Sequence, residues 1–540
     1  MAGRRTSITL NDVTLLRATT PAVILERVGR RLRQSVGGIG GIASDDEEDD
    51  FACSFPVGSI DIFLSHSWHA RWQVKYLTLL FYFNAVPSVL ATSVLGGLCA
   101  CWLWWDSEVV PKDQWEFGKV YPICQAVGSV AYMIVLICWH HVLVAAGRSP
   151  TMFVDKVCID QTHPERKLKG IKSIGAVLAN SQTMLVTWDK SYFERLWCTY
   201  EMSAFRHSNP DGKIEVLPVA LGEFVAAYGC TTFLADAALT CLEPHLFTDE
   251  RTGGVLVFQA SALIHFPLYC LCSRIFVRYI NNLNALKYQL AKFSVSDAKC
   301  FCCENAHKHP DTGATLPCDR EVVNASIEYW MGLDTFDKMV RGEFKLFVKK
   351  TLGGWAKLPY RFAVAASVYP GLAALDHMSA STQPYAVRAL FALESTFLRH
   401  PVIIALVVAL LRRHARRTQA RLGARLRRCG CQALAKAVTY MLSGLAFTAL
   451  YCLTLDVSLS LSVRPNPAWW ALWLALELAA VVTFYFNRNF SEGDNYTQQE
   501  LWNMDETESV ELADRWSTPW PPRPPPQPEA SASAEDARTT

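Results

Sequence analysis

Long apolar runs alternate with short amphipathic and polar stretches along the chain. About 20 apolar residues are needed to cross roughly 30 Å of hydrocarbon, and runs at 78–105, 121–146, 254–274, 433–455 and 468–486 meet that length. Two more, 362–380 and 389–411, are apolar but the second carries Glu394, Arg399 and His400. A weaker run, 221–243, carries Glu223 and Asp236. A buried core helix is the alternative for each. Aromatic residues at the ends of the runs (Trp104, Trp105, Tyr121, Trp469, Trp470, Tyr485) favour the membrane.

Between these runs the pattern changes. "SIDIFLSHSW" (59–68) and "TMFVDKVCIDQ" (151–161) read as buried strands that run into polar loops. "KGIKSIGAVLANS" (169–181) places Ile171, Ile174, Val177 and Leu178 at helical spacing. "QTMLVTW" (182–188) is a third strand, and "SYFERLWCTYEMSAFRH" (191–207) a helix with Ser191 as its expected N-cap. "GKIEVLPVAL" (212–221) is a fourth strand after an Asn-Pro-Asp-Gly turn. Wholly apolar strands alternating with helices imply a parallel sheet covered on both faces. Ligands in such folds sit at the carboxyl ends of the strands. Ser65, His66 and Ser67 follow the first strand there, and Asp155 and Lys156 the second.

Charge and parity then orient the segments. The two halves of the sheet domain, 55–75 and 147–220, must lie on one side of the bilayer, which the inserted hairpin 76–146 permits by crossing twice. The loop 106–120 is acidic, and the arginine-rich stretch 412–428 is expected in the cytosol. Segment 278–361 is also basic, which pairs 221–243 with 254–274 inside 221–277. Further pairs in 362–411 and 433–487, joined by the basic loop 412–432, give about eight spans with both termini cytoplasmic. The N-terminus has no apolar leader region, so a cleaved signal is not expected. The arm 1–54, with the acidic run 44–50, is expected to be disordered. The tail 488–540 is Pro-rich, and Pro522-Arg523-Pro524-Pro525 offers an SH3-type groove a ligand, although a plain solubilising tail fits as well. The arginines abut a span, so their expected partner is the lipid bilayer and not nucleic acid. The sequons at Asn324, Asn489 and Asn495 fall on the cytosolic side, and glycosylation at any of them would overturn this topology.

The 18 cysteines form no extracellular framework and read as mostly reduced. One group stands out in "KCFCCENAHKHPDTGATLPCDR": Cys300, Cys303, His307, His309 and Cys318 are candidate ligands of a structural zinc. The Cys-x-x-Cys half has metal spacing and the His-x-His half does not. A reduced loop or acylated cysteines are the alternatives.

The ordered set "DIFLSHSW … FVDK … L..S..MLV … Y..RLWC.YE" resembles a Toll/interleukin-receptor (TIR) domain. The inserted hairpin and the downstream Cys318-Asp319-Arg320 resemble polytopic TIR-like proteins of unicellular algae. The resemblance implies a flavodoxin-like α/β parallel sheet joined to a polytopic helical membrane domain. It also implies hydrolysis of the nicotinamide–ribose bond of NAD, with no cofactor required, and Glu201 of the Trp197-Cys198-x-x-Glu201 motif as catalytic carboxylate. Ser65, His66, Ser67, Asp155, Lys156 and Trp197 are then the expected substrate-binding residues. Many TIR domains only self-associate, so a non-catalytic scaffold assembling through TIR–TIR contacts is the second reading. A channel or transporter with a TIR-like regulatory domain is the third. The chain departs from the family where the hairpin replaces the domain's usual first helix, of which 69–77 is expected to keep a stub.

Overall fold

The structure is a computed structural model that describes residues 13–33, 50–109, 122–209, 212–246, 253–308, 313–344, 359–379 and 384–404, with scattered residues from 437 to 475. The arginine-rich stretch, the last two expected spans for the most part, His309 and the Pro-rich tail lie outside the described residues.

Its centre is a four-stranded sheet of β3 (Ile60–His66), β4 (Met152–Phe153), β5 (Ser181–Trp188) and β6 (Lys213–Pro218), ordered β4-β3-β5-β6. Every pairing is parallel, with Ile62 opposite Met152 and Thr183, and Val186 opposite Val216. The second strand is shorter than the sequence suggests, because Asp155 already opens a helical turn, Asp155–Cys158. Ile60, Phe63, Leu64, Met184, Leu185 and Val186 are buried, as strands covered on both faces require.

Adjacent parallel strands need a crossover that returns the chain to its starting end. Between β3 and β4 that crossover is a pair of long helices, Trp72–Val109 and Ile123–Ala145. The first helix of the domain is therefore extended into the hairpin, with no separate stub at 69–77. At about 1.5 Å per residue its 38 residues reach roughly 57 Å, well beyond a hydrocarbon thickness. Its outer positions Val86, Leu90, Val94 and Leu98 are exposed apolar residues, the surface that suits lipid. Asn84 joins the two helices, its Nδ2 donating to Leu136 O and lying 2.8 Å from His140 Nδ1. Asp376 accepts the Cys124 and Gln125 amides at 2.7 and 2.9 Å, satisfying the amino end of the second helix.

Among the described residues, four helical segments are long and apolar enough to cross a membrane: Trp72–Trp105, Ile123–Ala145, Ala220–Leu242 and Gln259–Tyr279. The weak run at 221–243 is thus a helix of spanning length. The run 362–380 is instead broken at Ser367 into Tyr360–Ala366 and Val368–Ser379. The run beginning at 389 forms Tyr385–Glu394 and a π-helical turn, Ser395–Arg399. Their ionisable groups are paired within the bundle: Glu394 with Arg399, and Asp236 3.4 Å from His265.

Part of the arm expected to be disordered is folded. The short strands β1 (Arg17–Ala18) and β2 (Phe55–Pro56) pair antiparallel, and Thr19 exchanges two 2.8 Å backbone hydrogen bonds with Met152, covering the outer edge of β4. The last residue of the acidic run, Asp50, is buried 2.8 Å from the equally buried Arg31, which also meets Glu26 at 2.9 Å and the Val23 carbonyl at 2.8 Å. Charge density alone suggests a solvated run, but a buried guanidinium recruits its final carboxylate.

The segment after Tyr279 docks on the sheet domain. The helix Gly253–Ala291 continues unbroken past its apolar part, and Gln289 donates to Lys190 O and Glu194 Oε1. Lys299 then exchanges backbone hydrogen bonds with Glu194 and Leu196 at 2.7 and 3.0 Å.

A close crossing lies where the first long helix meets Ala220–Leu246. Thr78 Oγ1 donates to Val219 O at 2.8 Å, and a Cβ on Gly222 would collide with the Thr78 backbone. Gly222→Ala is expected to cost about 1–3 kcal/mol through overpacking. Gly97, whose Cβ position is open, should tolerate Ala with no loss. Thermal unfolding of the detergent-solubilised variants measures the difference.

Candidate functional site

The parallel arrangement puts all four carboxyl ends at one edge of the sheet. There β3 ends in Ser65 and His66, β5 is followed by Asp189, and Asp155 follows β4. The helix Leu196–Ser208 carries Glu201 to this edge. Ser65 Oγ lies 2.5 Å from Glu201 Oε2 and 2.6 Å from the Tyr192 hydroxyl, which donates to Cys198 O at 3.2 Å.

Proton counting along this chain is informative. With Glu201 ionised, Ser65 donates to the carboxylate, and the single Tyr192 proton must serve both Ser65 and the Cys198 carbonyl. With Glu201 protonated, each hydroxyl donates once, from Glu201 to Ser65 to Tyr192 to Cys198 O, and every acceptor is filled. Burial pushes the Glu201 carboxyl up to about 8, and the negative Asp155 adds to the rise, against the lowering effect of the Ser65 hydrogen bond.

Two more carboxylates face the same edge. Burial raises Asp155, opposed by its hydrogen bonds from Trp68 Nε1 at 3.0 Å and the Lys156 amide at 2.8 Å. Burial also raises Asp189, which receives the Ser191 hydroxyl at 2.8 Å. Ser67 Oγ meets Ser191 Oγ at 2.7 Å, so the first- and third-strand loops are tied together. Lys75 is the cation among them, its Nζ 3.4 Å from Ser67 O and 5.0 Å from the Trp68 ring centroid.

The structure brings Ser65, Ser67, Asp155 and Glu201 to this edge, sets His66 at its border, and directs Lys156 and Trp197 elsewhere. His66 alternates away from Ser65 and Ser67 along the strand, and its ring centroid lies 4.4 Å from that of Trp68, so it borders the site through that indole. Burial holds it well below the usual imidazole range, hence neutral. Lys156 turns outward to Asp50 and the Arg33 carbonyl, at 3.7 and 3.5 Å. Trp197 donates its indole N–H to Asp319 at 3.2 Å, holding the downstream segment. Ser191 does not cap the Glu201 helix either; Arg195 precedes it, and Ser191 leads a short 3₁₀ turn, Tyr192–Glu194. Trp68, Lys75, Asp189 and Tyr192 join the site unannounced. Asp189 had a readable signal, since a carboxylate directly after a parallel strand belongs at the ligand edge.

The cysteine-rich segment also gathers, with a different membership. The ligand atoms of Cys302, Cys303, His307 and Cys318 all lie within 4.8 Å of one another. Cys300 instead groups with Cys302 and Asp319, and His309 lies outside the described residues.

A carboxyl whose folded value stands at about 8, above its ordinary 4.5, contributes stability that is full below about pH 4.5 and is lost as pH rises through 8. Wild-type stability is expected to fall across this window, by up to about 1.4 kcal/mol per pH unit from this group. Glu201→Gln should flatten that limb, as read by denaturation at stepped pH.

No protein-family model, no curated protein and no solved structure matches this chain.

Proposed function

We propose that the chain is a membrane-embedded signalling protein with a TIR-like domain, whose Glu201 centre hydrolyses the nicotinamide–ribose bond of NAD. The observation that carries this reading is the placement of Glu201, half-buried and raised to about 8, on Ser65 at the carboxyl edge of a parallel sheet.

The chemistry follows from charge. The nicotinamide ring of NAD is cationic, and an edge bearing Glu201, Asp155 and Asp189 attracts it. Arrival of that cation favours the ionised form of Glu201. As the ribose C1′–N bond breaks, its electron pair leaves with neutral nicotinamide and positive charge develops on the ribose. The Glu201 carboxylate stabilises that charge. Water then attacks C1′, and Glu201, with a value close to neutrality, takes the released proton. Ser65 holds the carboxylate in place, and Tyr192 holds Ser65.

Nicotinamide release by the full-length protein in detergent, with NAD as substrate, tests the reading. Glu201→Gln is expected to lower kcat/KM by about 100-fold or more with the fold intact. In the wild type kcat/KM should rise with pH through about 8. Ser65→Ala removes a hydrogen bond that lowers the carboxyl and should shift that limb to higher pH. Absence of turnover by the wild type, in solution or clustered on liposomes, rejects the enzyme and leaves the scaffold that assembles through contacts between TIR-like domains.

A further inference from the structure

We propose that Cys302, Cys303, His307 and Cys318 hold one zinc ion in a tetrahedral three-thiolate, one-imidazole site that fastens the downstream segment to the helix bearing Glu201. The inference stands apart from the reaction and needs no turnover to be true.

The spacing of the sulfurs is the first support. Zinc–thiolate bonds of about 2.3 Å set the edge of a tetrahedron at about 3.8 Å. Cys302 and Cys303 Sγ lie 3.9 Å apart, and Cys303 and Cys318 Sγ 4.0 Å. All four ligand atoms fall inside 4.8 Å, the reach of a single ion.

The backbone is the second support. Ala306 and His307 are both left-handed, with φ of 51° and 56°, a conformation that costs a residue with a side chain about 1 kcal/mol or more. This turn folds His307 back over the cysteines: its amide donates to Cys302 O at 2.7 Å, and its carbonyl accepts from Leu316 at 2.8 Å. A bridge between Lys308 and Thr315 then returns the chain to Cys318. A metal ligand at 307 supplies the reason for two consecutive unfavourable residues.

The surroundings suit thiolates. Cys318 stands at the amino end of the helix Asp319–Trp330, whose dipole favours negative charge, and the Asp319 amide donates to Cys302 Sγ at 3.3 Å. Three thiolates and a divalent ion leave one negative charge, and the Arg320 guanidinium lies against Cys303 to meet it. Cys300 Sγ, 3.2 Å from Cys302 Sγ, sits beside the ligand set as a thiol donor. Asp319 links the site to the neighbouring helix by accepting the Trp197 indole N–H, and Glu201 lies one turn further along.

Metal content of the full-length protein, purified in detergent without chelator, tests the proposal. About one zinc per chain is expected, and cobalt(II) in its place should give the intense thiolate-to-metal absorption of a three-sulfur tetrahedral site. Cys302→Ser with Cys318→Ser should lose the metal. Cys300→Ser, His309→Ala and Glu201→Gln should each keep it, which distinguishes this ligand set from a Cys300-x-x-Cys303 one. Three results overturn the proposal: no zinc uptake by reduced wild type, a full equivalent retained by the double variant, or loss of the metal in Cys300→Ser. If the double variant does not fold, the cobalt spectrum of the wild type decides, and a spectrum without thiolate charge transfer rejects the site.

Discussion

The parallel pairing of β3 with β4 governs the rest of the molecule. Phe63 and Phe153 stand opposite each other in register, their rings 5.1 Å apart, although a hairpin of membrane-length helices separates them in sequence. Parallel neighbours must be entered from the same end. The chain therefore leaves the sheet, travels the length of Trp72–Val109, and returns through Ile123–Ala145 to the same edge. An even number of membrane-length helices between β3 and β4 is a demand of the sheet. So is the placing of the second segment, which can dock through Gln289 and Lys299 only from the side where Glu194 is.

The same arrangement concentrates acid at one edge. Strand ends that all point one way deliver Ser65, Asp155 and Asp189 to a common place, and the helix after β5 adds Glu201. Carboxyls this close and this enclosed cannot all ionise cheaply. The hydroxyl relay through Ser65 and Tyr192 satisfies the neutral form of Glu201 completely and the ionised form one bond short. A positive charge added at this edge would favour the ionised form.

Much of this was legible in the sequence, because periodicity reports burial. The four strands, the two long helices of the inserted hairpin and the Glu201 helix follow from where apolar residues fall. Direction was harder. Strand alternation separates His66 from Ser65 and Ser67, but a strand's end is where the pleat stops being trustworthy. Lys156 is pulled outward by Asp50, a partner more than a hundred residues away in an arm that composition marks as disordered. Cys302 escaped because spacing rules favour Cys-x-x-Cys, whereas a left-handed turn at Ala306 and His307 folds His307 back to the adjacent pair Cys302-Cys303. Long-range pairing and unusual backbone are what a linear pattern does not carry.

The parallel register also sets an order of events in the life of the chain. β3 leaves the ribosome long before its neighbours, since Ile62 waits for Met152 and then for Thr183. An apolar strand left unpaired for that span of synthesis is a hazard for aggregation. Its immediate successors are two membrane-length helices, and both must be made before β4 follows. A hairpin that failed to return would leave β4 far from β3, and no sheet would form. Sheet formation therefore depends on the pairing of the two long helices: only a chain whose hairpin returns completes the acidic edge and its carboxyl.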